Sequence, residues 1–193
     1  VPFVADFESL HPNGFDFRVL TTHTVYNRRI NHVRQAEIEW IVDWMITPTD
    51  DGEANLIAIG DFNANPPSPT TAPRFSELIP DSTDFRVLLY ESLDAGEASI
   101  RTTTPTKRLE DYADPTTAAS WPAYDHVLMT YATDDATPAS RMTRANGLLG
   151  VYEFDMLPWW EEHGWSRSET ISAVSDHRPV WFKLRFDAED ADP

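Results

Sequence analysis

The chain has 193 residues, 41% of them hydrophobic, which is enough for one folded domain with a true core. It has no cysteine, so disulfides, thiolate metal sites and cysteine nucleophiles are excluded, although no compartment is fixed by that. The formal charge of -17, from 32 acidic and 15 basic residues, argues against a basic surface that grips nucleic acid by neutralising phosphates. Only Lys107 and Lys183 are lysine, and an acid excess of this kind is expected of a protein working in strong salt. There the screening length falls to about 3 Å at 1 M, and repulsion from phosphate fades with it. An ordinary acidic protein with an arginine bias has the same composition. No apolar run approaches membrane-spanning length and no charged-then-apolar leader opens the chain, so a soluble protein, cytoplasmic or secreted, is expected. The chain starts at Val1, so a leader or preceding domain would already have been lost.

Phe15 to His23 alternates, with Phe15, Phe17 and Val19 on one face and Asp16, Arg18 and Leu20 on the other. That pattern predicts a strand with one partly exposed side, and His23 falls at its C-terminal end on the Phe15 parity. Ile30 to Ile46 has helical character, with Ile30, Val33, Ile41, Trp44 and Met45 near helical spacing and Pro48 as the stop. After the Asp50-Asp51-Gly52 turn, Leu56-Ile57-Ala58-Ile59 is continuously apolar, as a buried central strand would be. Strand, helical crossover and second strand make a parallel pair, with a crossover that is almost always right-handed. Both C-terminal ends then lie at one sheet edge, and His23 becomes a neighbour of Asp61 by topology alone.

Asn65 to Pro73 carries Pro66, Pro67, Pro69 and Pro73 and reads as irregular loop. Phe75 to Tyr90 suggests a short helix around Phe75-Ile79 and then a strand, and the polar stretch from Asp94 to Pro122 a surface loop. Tyr124 to Thr130 is strand-like, with Asp125, Val127 and Met129 on one parity. Asp134 to Ser168 is a long excursion bearing Trp159, Trp160 and Trp165. In the last strand Val180, Phe182, Leu184 and Phe186 alternate with Trp181, Lys183 and Arg185; one domain, 1–186, is followed by an acidic tail, 187–193. Asp176 and His177 precede their strand whereas Asp61 follows its own. They share an edge if the final strand runs antiparallel to the Ile59 strand in a mixed sheet.

Two segments carry the chemistry. Gly60-Asp61-Phe62-Asn63-Ala64 puts an acid and a carboxamide on the turn leaving one strand, and Ser175-Asp176-His177-Arg178-Pro179-Val180 puts an acid and an imidazole on the turn entering another. Metal-assisted attack on a phosphate ester needs such groups: oxygen ligands for a hard divalent ion, a group that makes water nucleophilic, and a donor for the phosphoryl oxygens.

With Val1-Pro2-Phe3-Val4, Thr22-His23-Thr24, Ile79-Pro80-Asp81-Ser82 and Tyr124-Asp125-His126-Val127 in the same order, these segments resemble the endonuclease/exonuclease/phosphatase superfamily, in its deoxyribonuclease I-like branch. The likeness runs from Val1 to about Phe186. It implies an α/β (α+β) sandwich of mixed β-sheet layers flanked by helices, and a divalent-metal phosphodiesterase, foremost a DNA endonuclease. Carried over by position, Asp61 would ligate metal or help activate water, Asn63 would donate to the phosphate, and Asp176 would be a metal ligand. His177 would hold the phosphate or take the water's proton, Asp125 would orient and charge-stabilise it, and His23 would act on the leaving-oxygen side. Magnesium suits this donor set, with manganese or calcium as substitutes.

The departure from the family lies upstream. Its N-terminal part carries an Asn and a Glu that bind the essential metal, and neither has a counterpart here. The chain therefore matches the C-terminal portion of the sandwich and lacks the N-terminal strands, an arrangement that would favour self-association or completion by an upstream segment. Two other readings stay open: a phosphoesterase acting on a phospholipid or small phosphoester, and a non-catalytic fragment that keeps the motif residues without holding metal.

Single residues also have blander uses. Asp61 with Asn63 suits a turn-capping pair, Asp176-His177 a surface turn before Pro179, and His23 a structural strand-end histidine. Asp125, inward by pattern, needs a partner, and His177 is the one expected. Arg28, Arg29, Arg141, Arg144 and Arg167 could contact a phosphate backbone or simply pair with the abundant acids. Trp159, Trp160 and Trp165 could stack on bases or anchor their loop, while His11, His32, His126 and His163 read as structural or surface.

Overall fold

A computed structural model describes residues 2–11, 14–26, 31–64, 84–89, 124–138, 142–143, 145–152, 154 and 162–185. Arg28, Arg29, Arg141, Arg144, the Arg167 side chain, Trp159, Trp160, the proline-rich loop, the expected helix at 75–79, the 94–122 loop and the 187–193 tail lie outside the described residues.

Five strands form the main sheet: β1 (Phe3–Phe7), β2 (Phe17–His23), β3 (Leu56–Asp61), β4 (Phe85–Val87) and β5 (Asp125–Thr130). Their spatial order is β1-β2-β3-β5-β4. Between β2 and β3 runs α1 (Asn31–Ile46), and β2 pairs parallel with β3, as the strand–helix–strand pattern predicts. The β1–β2, β3–β5 and β4–β5 pairs are antiparallel. The sheet is therefore mixed. Thr130 holds the base of β3 in register, accepting from the Leu56 N–H at 3.0 Å and donating to the Ala54 carbonyl at 2.7 Å.

The two faces of the sheet are covered differently. Leu20, Leu56, Ala58, Phe85 and Leu128 pack with Ile38, Ile41, Val42 and Met45 of α1. Those four helix residues sit at i, i+3, i+4 and i+7, the spacing of one apolar stripe. Val33, expected on the buried face, is exposed, and Ile38 takes that role instead. Leu20, expected on the partly exposed side of β2, is fully buried, since α1 covers the strand's C-terminal half. Asp16, Arg18 and Thr22 on that face remain partly exposed, and Arg18 pairs with Asp6 and Asp51.

On the opposite face Ile57, Val127 and Met129, with Phe17, Val19 and Ile59 at their margin, pack beneath a second sheet. That sheet has two antiparallel strands, β6 (Leu149–Val151) and β7 (Val180–Phe182). Each fully buried Leu, Ile or Phe in these layers contributes roughly 1.5–3 kcal/mol of transfer free energy. The result is an α/β sandwich, with α1 on one side of the mixed sheet and the small sheet on the other.

This corrects the expected placement of the last strand. The β7 strand does not join the β3 sheet; its hydrogen-bonding partner is β6, a strand within the long excursion after Asp134 that the tryptophans obscured in the sequence. The alternation is nonetheless read correctly, because Val180, Phe182 and Leu184 all turn toward the core. Beyond Phe182 the pairing ends, and the Lys183 and Arg185 N–H groups donate to the carbonyls of Leu148 at 3.0 Å and Ala136 at 2.7 Å. Asp176 and His177 consequently approach the main sheet from above its face rather than from alongside its edge. A short helix, α2 (Arg167–Ala173), leads into that approach. Among the described residues no helix is long and apolar enough to cross a membrane.

Candidate active site

Sheet register assembles the site. His23 pairs with Asp61 across β2 and β3, and Asp61 pairs with Asp125 across β3 and β5. In-register residues of neighbouring strands share a face, so one histidine and two carboxylates form a row across three strands. It is the face under the β6–β7 sheet, because His23, Asp61 and Asp125 share parity with Val19, Ile59 and Val127. His177, on the turn that enters β7, closes over the row. Its Nδ1 lies 2.8 Å from Asp125 Oδ2, and its Nε2 lies 3.6 Å from Asp61 Oδ2. On the other side of that oxygen, His23 Nε2 lies at 3.4 Å. His23 is open to solvent, with 74% of its side chain exposed against 13% for Asp61.

The β3 exit is fixed by a compact set of hydrogen bonds. Asp61 Oδ1 accepts from the Asn63 N–H at 2.7 Å, which leaves Oδ2 facing the two imidazoles. Asn63 adopts a left-handed φ of 49°, a conformation asparagine tolerates better than most residues. It is only 3% exposed, and its Nδ2 donates to the Thr24 carbonyl at 2.8 Å. Thr24 in turn donates its hydroxyl to the Phe62 carbonyl at 2.6 Å and its N–H to the Asp61 carbonyl at 2.8 Å. The loop is held from below by His126, whose Nε2 donates to the Ala64 carbonyl at 2.6 Å. His126 is thus structural, one of the two roles expected for it. Gly60 permits the close packing of β3 on β2: at φ 147° a Cβ would lie 1.9 Å from the Thr22 carbonyl oxygen. Gly60 and Thr24 received no separate role from sequence, although both lie inside the motif segments; only the paired strands show why they matter.

Electrostatics separate the tasks of these groups. The hydrogen bond to Asp125 raises the His177 pKa to about 9, against the lowering effect of burial, and Asp61 and Asp176 add to the rise. The raised pKa favours the imidazolium form of His177, which donates from both ring nitrogens. Burial raises the pKa of Asp61, opposed chiefly by the hydrogen bond from the Asn63 N–H; Asp125 pushes in the same direction as burial. The Ser175 hydroxyl accepts from the His177 N–H at 2.9 Å and sets the turn.

Ligand atoms of Asp61, Asp125 and His177 lie within 4.8 Å of one another. Because Asp125 Oδ2 is engaged by the imidazolium, Asp61 Oδ2 is the oxygen best placed to meet a cation. A half-buried carboxylate near a second carboxylate suits a hard divalent ion, which would offset the burial, and the lesser repulsion from Asp125, that raise its pKa. Asp176 is exposed beside His177 and stands outside that three-residue cluster. The structure thus brings His23, Asp61, Asn63, Asp125 and His177 together, with Asp176 at the margin.

No protein-family model and no curated protein sequence matches the chain. Solved structures do. A D. rerio TDP2 complexed with single-strand DNA product superimposes with a TM-score of 0.54 at 15% identity, covering 88% of this chain and 56% of that one. A humanized D. rerio TDP2 gives 0.52 at 14% identity, covering 88% and 55%. An AP endonuclease from Archaeoglobus fulgidus gives 0.50 at 14% identity, covering 89% and 62%. The chain spans between 55% and 62% of the length of these three structures. Sandwich layers, strand order and these likenesses agree that the chain has the deoxyribonuclease I-like sandwich fold.

Proposed function

We propose that the chain is the catalytic portion of a divalent-metal-dependent phosphodiesterase, and that its substrate is DNA. The observation that carries this reading is the row of His23, Asp61 and Asp125 across three paired strands, closed from above by His177. The fold neighbours include a complex with single-strand DNA product and an AP endonuclease, which supports DNA over other esters.

In this reading His177 donates from Nε2 to a phosphoryl oxygen, where the developing charge of in-line attack is greatest. Asp125 is a positioning residue: through Nδ1 it holds the ring and keeps it protonated. Asp61 Oδ2 orients the attacking water, and its pKa, raised chiefly by burial, makes it a better proton acceptor than an ordinary carboxylate. Asn63 braces that carboxylate through its backbone, and its amide has a second N–H suited to the phosphate. His23, exposed at the rim, serves the leaving oxygen, and Arg28 and Arg29, a few positions later in the sequence, are proposed backbone contacts. Asp61 and Asp176 would hold the ion, magnesium first and manganese or calcium as substitutes. Bound there it would neutralise phosphoryl charge and lower the pKa of water. The charge of -17 fits a high-salt setting, in which repulsion from DNA is screened.

The test is plasmid nicking in magnesium, with and without chelator, from low to molar salt. Nicking that needs the ion and falls at least ~100-fold in His177→Ala supports the reading. A folded protein that leaves DNA intact under all these conditions contradicts it.

A further inference from the structure

Beside His177 the surface opens into a cavity of about 560 Å³. Its described lining is Tyr152, Phe154, Val174, Ser175, His177 and Pro179. That volume falls within the ~300–1,000 Å³ typical of small-ligand sites. Phe154 is 6% exposed and forms a floor, while Tyr152 and Val174, at 52% and 50%, form an open rim. The walls are tied to the turn that carries His177: the Tyr152 N–H donates to the Pro179 carbonyl at 2.8 Å, and the Phe154 N–H to the Tyr152 carbonyl at 2.9 Å. Ser175 spends its hydroxyl oxygen on the His177 N–H, so the polar group in the wall is already satisfied. The cavity is thus apolar, and His177 belongs both to its lining and to the candidate phosphate site.

We propose that this cavity is a subsite for the nucleobase attached to the phosphate at His177, with Tyr152 as its stacking residue. The inference rests on the phosphodiesterase reading for what sits beside it, and it adds the group that decides affinity. Because His177 borders both spaces, the occupant proposed is the group joined to the phosphate through its sugar. An aromatic ring, a proline ring and valine methyls offer flat apolar surface, which every base can use through its π-face. The wide rim leaves an acyl chain in contact with water, so a lipid tail would profit less than a base with a polar edge that can stay wet.

The experiment uses the wild-type chain and Tyr152→Ala, in magnesium and in chelator, with binding followed by NMR shifts of the histidine rings. The probes are thymidine 5′-phosphate, methyl phosphate and octyl phosphate. Wild type is expected to prefer the nucleotide over methyl phosphate by about tenfold, the factor that about 1.4 kcal/mol of stacking confers. Tyr152→Ala should lose that preference while keeping its affinity for methyl phosphate. Equal binding of nucleotide and methyl phosphate by wild type overturns the subsite, as does octyl phosphate binding as tightly as the nucleotide. A variant that weakens all three probes alike also overturns it, since Tyr152 would then only support His177. Turnover is measured separately with thymidine 5′-(p-nitrophenyl phosphate). A nucleotide preference without turnover leaves the subsite standing and counts against the catalytic reading alone.

Discussion

Asp125→Asn removes the strongest influence on His177 while keeping the side chain's shape. In the wild type Asp125, with smaller contributions from Asp61 and Asp176 and against burial, raises the His177 pKa from 6.5 to about 9. Without that charge, Asp61 and Asp176 still raise it and burial still lowers it, so the ring should titrate well below the wild-type value. Because the folded value lies above the unfolded one, the stabilisation is complete below pH 6.5 and disappears as pH rises through about 9. Partial exposure of the ring screens the pair, so about 1–2 kcal/mol is expected rather than the full linkage value. For a domain of this size that is a Tm difference of about 4 °C between wild type and variant. Histidine ring NMR gives the titration, and thermal melts from pH 6 to pH 10 give the linkage. The Tm gap should be widest near pH 6 and close by pH 10. A wild-type His177 titrating near 6.5, or a Tm gap indifferent to pH, would refute the pairing.

Other substitutions probe the frame. Gly60→Ala forces a Cβ to within 1.9 Å of the Thr22 carbonyl at φ 147° and should cost about 2–4 kcal/mol by urea denaturation. Gly147→Ala, at φ 69° with open space around it, should cost only about 1 kcal/mol, and equal losses would contradict the close β2–β3 approach. Asp61→Asn keeps an acceptor for the Asn63 N–H and removes a charge that burial disfavours. A raised carboxylate pKa means stability lost as pH rises through it, so at pH 7 without metal the variant should melt no lower than wild type. Its hydrolysis should nevertheless fall by at least ~100-fold; a lowered Tm would contradict the sign. The charge of -17 predicts that Tm rises between 0.1 M and 2 M potassium chloride, and a flat or falling Tm would count against high-salt adaptation.

Sequence pattern revealed the β2–α1–β3 unit because each piece announces itself locally: alternation, helical spacing, and an unbroken apolar run before Gly60. Strand parity then placed His23 beside Asp61, and the structure adds Asp125 to the same row. The β6 strand was not legible. Leu149–Val151 is three residues long, with a glycine at its centre, and its partner lies about thirty positions onward, so no local period marks it. Missing β6 led to the wrong sheet for β7, although its inward residues were still identifiable from alternation. The buried helix stripe was also misread at one end, since Val33 and Ile38 are both apolar and only packing distinguishes them. Hydrogen bonds such as Asn63 to Thr24, which joins residues 39 positions apart, depend on strand pairing and leave no mark on composition.

Crystals grown at neutral pH and soaked in manganese with phosphate would test the central arrangement directly, because anomalous scattering locates the metal without assumption. An anomalous peak in coordinating distance of Asp61 Oδ2, with phosphate between it and His177 Nε2, is the predicted outcome. Manganese bound only elsewhere, or phosphate bound away from His177, would contradict the site.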